Sequence, residues 1–167
     1  MQLLISDANI LIDLEEGELI KELFQLPFLF SIPDILFEEE MSEEHGYLPD
    51  LGLQLEELSG EVMSSAWTLT QKYTNPSRHD CFALALAKDK ECPLLTGDKA
   101  LRKAAEVEAV MVNGTLWIIE QMIHQKLITP NQARQAYQRM KDSARRLPWS
   151  LAESNLQEIE KELKQPE

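Results

Sequence analysis

The chain has 167 residues, 44% of them hydrophobic, which suits one substantial core and a single domain with a small appendage. No run approaches the roughly 20 apolar residues of a membrane-spanning helix, and MQLLIS leads into Asp7 without a basic segment or cleavage site, so a cytoplasmic location is expected. The formal charge of −13 excludes a uniformly basic nucleic-acid binder, yet it is polarised: residues 1–66 carry sixteen acids and one base, Lys21, whereas residues 67–167 carry thirteen acids and fifteen bases. The first half suits a cation or a basic partner, and the second suits a polyanion.

The apolar runs LLIS, ending at Asp7, and FLFSIP at 28–33 predict two strands, with a helix around ELIKELF between them. DILFEEEM after Pro33 predicts a helix, and the acidic SEEHGYLPDLG after it predicts a loop or insertion. Residues 61–72 fit either a helix or a strand. In SRHDCFALALAK, Ser77 takes an N-cap position before an apolar run too long for a typical strand, which predicts a buried helix. CPLLT at 92–96 reads as a strand, Gly97 and Asp98 as a turn, KALRKAAE as a helix and AVMV at 109–112 as a last strand. Strands alternating with helices imply a parallel sheet, here of four or five strands, with helices on both faces as a three-layer α/β/α fold.

Two further helices follow, TLWIIEQMIHQK and one opening at TPNQ, where Thr129 caps, Pro130 sits in the first turn and Gln132 completes a capping box. Ala133, Ala136, Tyr137, Met140, Ala144 and Leu147 form an apolar stripe that must pack on the body or on another subunit. SLAESNLQEIEKELKQ predicts a weaker terminal helix that frays. Residues 1–115 thus form a catalytic-type domain and 116–167 a helical extension. Cys81 and Cys92 lack CxxC spacing and a His partner, so buried thiols are expected, not a disulfide or zinc site.

Ligands of parallel α/β sheets bind outside the carboxyl ends of the strands. Asp7 ends the first strand, Asp98 follows PLLT, Asp80 opens the buried helix, and Glu38 and Glu39 lie one turn past FLFSIP, so four acidic positions converge on one edge. Each also has a local explanation: Asp7 can bond a turn, Asp80 can close a capping interaction with Ser77, Asp98 can cap its helix, and a run of three glutamates can simply be solvated. Turn chemistry alone gives no reason for all four to share an edge. Two carboxylates about 5 Å apart repel by roughly 3 kcal/mol at an effective dielectric near 20, so a cation or protons must compensate. An all-oxygen donor set favours Mg²⁺ or Mn²⁺ over zinc. None of His45, His79 and His124 has a partner at i+4, and His79 reads as a surface or supporting residue beside Asp80.

The segments ISDANILIDL at 5–14, IPDILFEEE at 32–40, SRHDCFALALA at 77–87 and LLTGDKAL at 94–101 resemble, in order and spacing, the PIN domains, including the VapC-like toxins. GTLWIIEQMIHQKLI looks like the C-terminal helices of one branch of that family. The resemblance implies Asp7, Glu39, Asp80 and Asp98 as catalytic acids that hold a metal, with Asn9 and Thr96 in support. Glu38 and Glu40 remain alternatives for the second acid. It also implies metal-dependent hydrolysis of RNA to a 3′-hydroxyl and a 5′-phosphate, a homodimer, and, for a toxin, an antitoxin partner. A divalent cation in such a site activates water near neutral pH and stabilises charge on the attacked phosphate.

Lys99, Arg102 and Lys103 follow Asp98, and Arg134, Lys141 and Arg145 are expected on one face of the helix from 131, with Arg139 and Arg146 nearby; these are candidate RNA contacts, or an exposed basic face. Two other classes compete. A phosphotransfer enzyme or receiver is disfavoured because Asp7-Ala-Asn9 lacks a DxD pair and no lysine follows AVMV. A non-catalytic RNA- or protein-binding module on a degenerate fold is disfavoured by the full acid set.

Overall fold

The computed structural model describes residues 1–164. Its elements are β1 (Gln2–Ser6), α1 (Ala8–Glu16), α2 (Ile20–Leu23), β2 (Phe28–Pro33), α3 (Asp34–Glu40), α4 (Leu48–Leu51), β3 (Gln54–Glu56), α5 (Gly60–Lys72), α6 (Arg78–Lys90), β4 (Leu94–Leu95), α7 (Lys99–Val107), β5 (Val112–Asn113), α8 (Thr115–His124), α9 (Pro130–Asp142) and α10 (Trp149–Lys164). The strands form one sheet in the order β3-β2-β1-β4-β5, and every neighbouring pair is parallel.

Alternation along the central strand sorts the core into two layers. Leu4 packs with α1, α8, α9 and α10 on one face, while the next residue, Ile5, packs with α5, α6 and α7 on the other. Leu95 and Leu94 divide between the same two layers. The three-layer α/β/α architecture with five parallel strands follows directly. Helix α6 has no polar side within Cys81–Ala87, all seven of which are buried, as its apolar run predicts.

Ala133, Ala136, Tyr137 and Met140 of α9, with Ala152, Leu156 and Ile159 of α10, join the cluster that holds Leu4 and Leu14. The C-terminal helices are therefore built into the same core as the sheet. The apolar stripe of α9 ends at Met140: the helix stops at Asp142, and Ala144, with φ of +62°, is exposed in a left-handed turn. Helix α10 is held by its three buried residues, Ala152, Leu156 and Ile159; the last residue of that predicted helix, Gln165, lies outside the described residues.

Three further differences have local causes. Strand β3 falls beside the predicted acidic loop, because three residues with Gln54 and Leu55 exposed leave no period to read. The segment 61–72 is helical: Ser59 caps it by accepting the Val62 amide at 3.2 Å, and Val62, Ala66 and Leu69 face inward. Exposed Met63 and Trp67 put apolar residues on its outer face and blur that period. The last strand begins later than AVMV, since Ala109 turns the chain with φ of +61° and pairing starts where Leu94 donates to the Met111 carbonyl at 2.8 Å. Among the described residues no helix is long and apolar enough to cross a membrane, and Cys81 and Cys92 are buried free thiols.

Candidate active site

Parallel pairing of β1 with β4 brings the ends of both strands together. The Asp7 amide donates to the Leu95 carbonyl at 3.0 Å, which sets Asp7 beside Thr96. Asp7 is the N-cap of α1 and only 3% exposed. Its Oδ1 accepts the Ile10 amide at 3.0 Å and its Oδ2 accepts the Thr96 hydroxyl at 2.5 Å. Thr96 Oγ1 in turn accepts the Asp98 amide at 3.1 Å, and Asp98 caps α7 by accepting the Leu101 amide at 2.8 Å. Asp80 closes a capping box at the start of α6: its Oδ2 accepts the Ser77 amide, and its own amide donates to Ser77 Oγ, each at 3.0 Å.

All three aspartates therefore take part in helix capping, Asp7 and Asp98 as N-caps and Asp80 through the capping box with Ser77, and they also act on one another. Burial pushes the Asp7 carboxyl up to about 7 against the opposing bonds from Thr96 and Ile10, and the charges of Asp80 and Asp13 push it further. Asp80 is raised by burial, opposed by its bonds to Ser77, and raised again by the charges of Asp98 and Glu40. The caps occupy Oδ2 of Asp80 and Oδ1 of Asp98, so each keeps a second oxygen.

Glu39 and Glu40 meet the start of α6 through other partners. Glu39 Oε2 accepts Arg78 Nη2 at 2.8 Å and lies 2.7 Å from His79 Nε2, while Glu40 Oε1 lies 2.6 Å from His79 Nδ1. His79 thus bridges two of the three consecutive glutamates beside Asp80, a connection that its place in the sequence did not announce. Glu38 uses its carbonyl to accept the Ser42 hydroxyl at 2.7 Å.

Asn9 and Asp13 form a second polar group on α1. Asp13, 7% exposed, accepts Arg145 Nε at 2.6 Å and the Thr115 hydroxyl at 2.8 Å. Arg145 Nη2 reaches Asn9 Oδ1 at 3.1 Å and its carbonyl at 3.3 Å. Neither Asp13 nor Thr115 was a sequence candidate; the only signal was an acid on the inward side of an otherwise apolar helix. Arg145 lies past the end of α9 and does not share a helix face with Arg134 and Lys141, because the helix ends at Asp142. Arg134 is held by Glu153 at 3.0 Å and Glu160 at 2.8 Å, tying α9 to α10. Lys141 is exposed, as are Lys99, Arg102 and Lys103 in the helix that Asp98 caps.

The donor chemistry of Asp7, Asp80 and Asp98 fits a hard divalent cation: all oxygen, charges acting on one another, two oxygens outside the caps. Among the described residues no three of His, Cys, Asp and Glu come together as a cation site.

No curated protein matches the chain in sequence. Among solved structures, a PilT N-terminus domain protein from the hyperthermophilic archaeon Sulfolobus solfataricus P2 is similar, with 13% identity, a TM-score of 0.49, and 74% of this chain and 94% of that one covered. The family model described as DUF3368: PIN domain matches residues 3–161, which spans the acids, the sheet and the C-terminal helices. The chain belongs to this PIN-domain family, whose fold is of nuclease type.

Proposed function

We propose that the protein is a divalent-cation-dependent endoribonuclease, with Asp7, Asp80 and Asp98 as the acids that hold Mg²⁺ or Mn²⁺ and Glu39 as the fourth. The observation that carries this reading is the electrostatic influence among buried Asp7, half-buried Asp80 and exposed Asp98, drawn from the end of β1, the start of α6 and the loop after β4. Helix caps need no such convergence, and raised carboxylates facing one another are what a cation would relieve. Membership of the PIN family supports the same reading, since PIN domains are generally nucleases and typically use divalent metals.

The chain's own part is orientation and charge. Thr96 holds the Asp7 carboxylate by one oxygen and opposes its protonation, and the first turn of α1 holds the other. Lys99, Arg102 and Lys103 follow Asp98 along α7 and receive the phosphates of the strand. The cation supplies activation of water and stabilises charge at the attacked phosphate.

The test is cleavage of a single-stranded RNA by the purified full chain with Mn²⁺ and with chelator. Fragments bearing 5′-phosphates in Mn²⁺ alone are expected. Intact RNA under both conditions, with no thermal stabilisation by Mn²⁺, would overturn the reading in favour of a binding module.

A further inference from the structure

Helix α9 and the turn that follows it grip α1 at both ends. At the carboxyl end Arg139 donates to the Gly17 carbonyl from Nε at 3.2 Å and Nη2 at 3.0 Å, and pairs with Glu18 at 2.8 Å. A Cβ at Gly17 would stand 2.6 Å from Met140 Cε and 3.4 Å from Ala136 Cβ, so the two helices touch there with only a hydrogen between them. At the amino end the grip comes from Arg145, one residue past a left-handed turn. The Ala144 amide donates to the Lys141 carbonyl at 3.1 Å and the Arg145 amide to the Met140 carbonyl at 2.9 Å, the paired bonds of a Schellman motif with alanine where glycine is usual. Alanine at φ of +62° is strained, and the strain is held where it turns Arg145 back onto α1.

Arg145 spends its donors on two targets. Nε serves Asp13 at 2.6 Å, a buried acid that Thr115 also serves; Nη2 serves both the side chain and the carbonyl of Asn9, two residues after Asp7. An ion pair for Asp13 alone would need only a positive charge. A planar fork spanning Asp13 and Asn9 fixes the relation between the middle of α1 and its first turn.

We infer that Arg145 is a positioning residue of the candidate active site, holding Asn9 and the first turn of α1, and thereby the Asp7 carboxylate that caps that turn. The C-terminal helices then belong to the site's architecture as well as to the core. The kinetic half of this inference rests on the nuclease reading; the structural half does not.

Arg145→Lys separates positioning from simple charge compensation, because lysine can serve Asp13 but cannot span Asp13 and Asn9 as a fork. The full chain and its Arg145→Lys and Arg145→Ala variants are compared by hydrogen exchange of the Ile10 and Leu11 amides, by thermal melting, and by kcat and KM on single-stranded RNA with Mn²⁺. In Arg145→Lys, melting close to wild type is expected, with exchange at those amides faster by roughly tenfold, α6 unchanged, and kcat lower by roughly 10- to 100-fold at constant KM. Should Arg145→Ala fail to fold, the lysine variant carries the test. Wild-type exchange at Ile10 and Leu11 in Arg145→Lys would overturn the inference, as would wild-type kcat. Absence of cleavage by the wild-type chain would instead overturn the nuclease reading and leave the exchange comparison to decide on Arg145.

Discussion

The Thr96 hydroxyl donates to Asp7 Oδ2 at 2.5 Å across 89 positions of sequence. Its oxygen also accepts the Asp98 amide, so one fully buried threonine fixes two acids at once. Thr96→Val keeps the shape and removes both bonds, leaving a buried carboxylate oxygen unserved at a cost of about 1–3 kcal/mol. Because the hydroxyl lowers the Asp7 pKa, its loss raises it, and the acid limb of the pH–rate profile should move to higher pH. Urea denaturation and the pH profile check both effects, and Thr96→Ser should restore most of each.

Metal-free stability should fall as pH rises. The Asp7 carboxyl sits at about 7 in the folded chain against 3.8 as its ordinary value, so the folded state holds its proton more tightly than the unfolded one. That contribution is complete below about pH 4 and is lost as pH rises through about 7, amounting to about 4 kcal/mol for this buried group. Burial raises Asp80 and Asp13 as well, which adds to the same trend. Thermal melts in chelator at pH 5 and pH 8 should show the loss. Mn²⁺ should reverse it at pH 8, and Asp7→Asn should flatten the pH dependence.

Glu108 provides the opposite sign. Its side chain, 7% exposed, accepts Lys88 at 2.7 Å, Lys72 at 2.9 Å and the Tyr73 hydroxyl at 2.5 Å, clamping α5 and α6 to the end of α7. The Lys88 bond foremost, then those from Tyr73 and Lys72, pull its carboxyl down from 4.5 to about 2. This stability is present above about pH 4.5 and lost as pH falls through about 2. Glu108→Gln should cost about 1–3 kcal/mol at pH 7 and nothing measurable near pH 2, read by urea denaturation at each pH.

The basic residues separate by what already holds them. Arg134 is engaged by Glu153 and Glu160, so Arg134→Ala should cost about 1 kcal/mol of stability and leave RNA affinity unchanged. Lys99, Arg102 and Lys103 are exposed beside Asp98, and reversing all three charges should weaken RNA binding and flatten its logarithmic salt dependence by about 2. Filter binding across a salt series distinguishes the two sets.

The strand-helix alternation, the buried α6 and the caps at Ser77 and Thr129 were legible because each rests on a local pattern: a run, a period, a box. Asp7, Asp80 and Asp98 were legible for the same reason, each standing where a strand ends or a helix begins. Arg145 was misplaced because its helix position was extrapolated through Ala144, whose left-handed turn no propensity announces. Nor could the run Glu38-Glu39-Glu40 reveal that His79 from α6 would bridge two of its members, a pairing that only the tertiary fold makes. Strand β3 was hidden by its length, and α5 by Trp67 and Met63 on its outer face.

The most direct measurement is Mn²⁺-dependent RNA cleavage by Asp98→Asn. Asparagine caps a helix about as well as aspartate, and Asp98 is exposed, so the fold should be kept and the circular dichroism unchanged. Loss of a carboxylate that holds the cation should reduce cleavage by at least about 100-fold. Full activity with an unchanged spectrum would contradict the assignment of these acids as the centre of a metal-dependent nuclease.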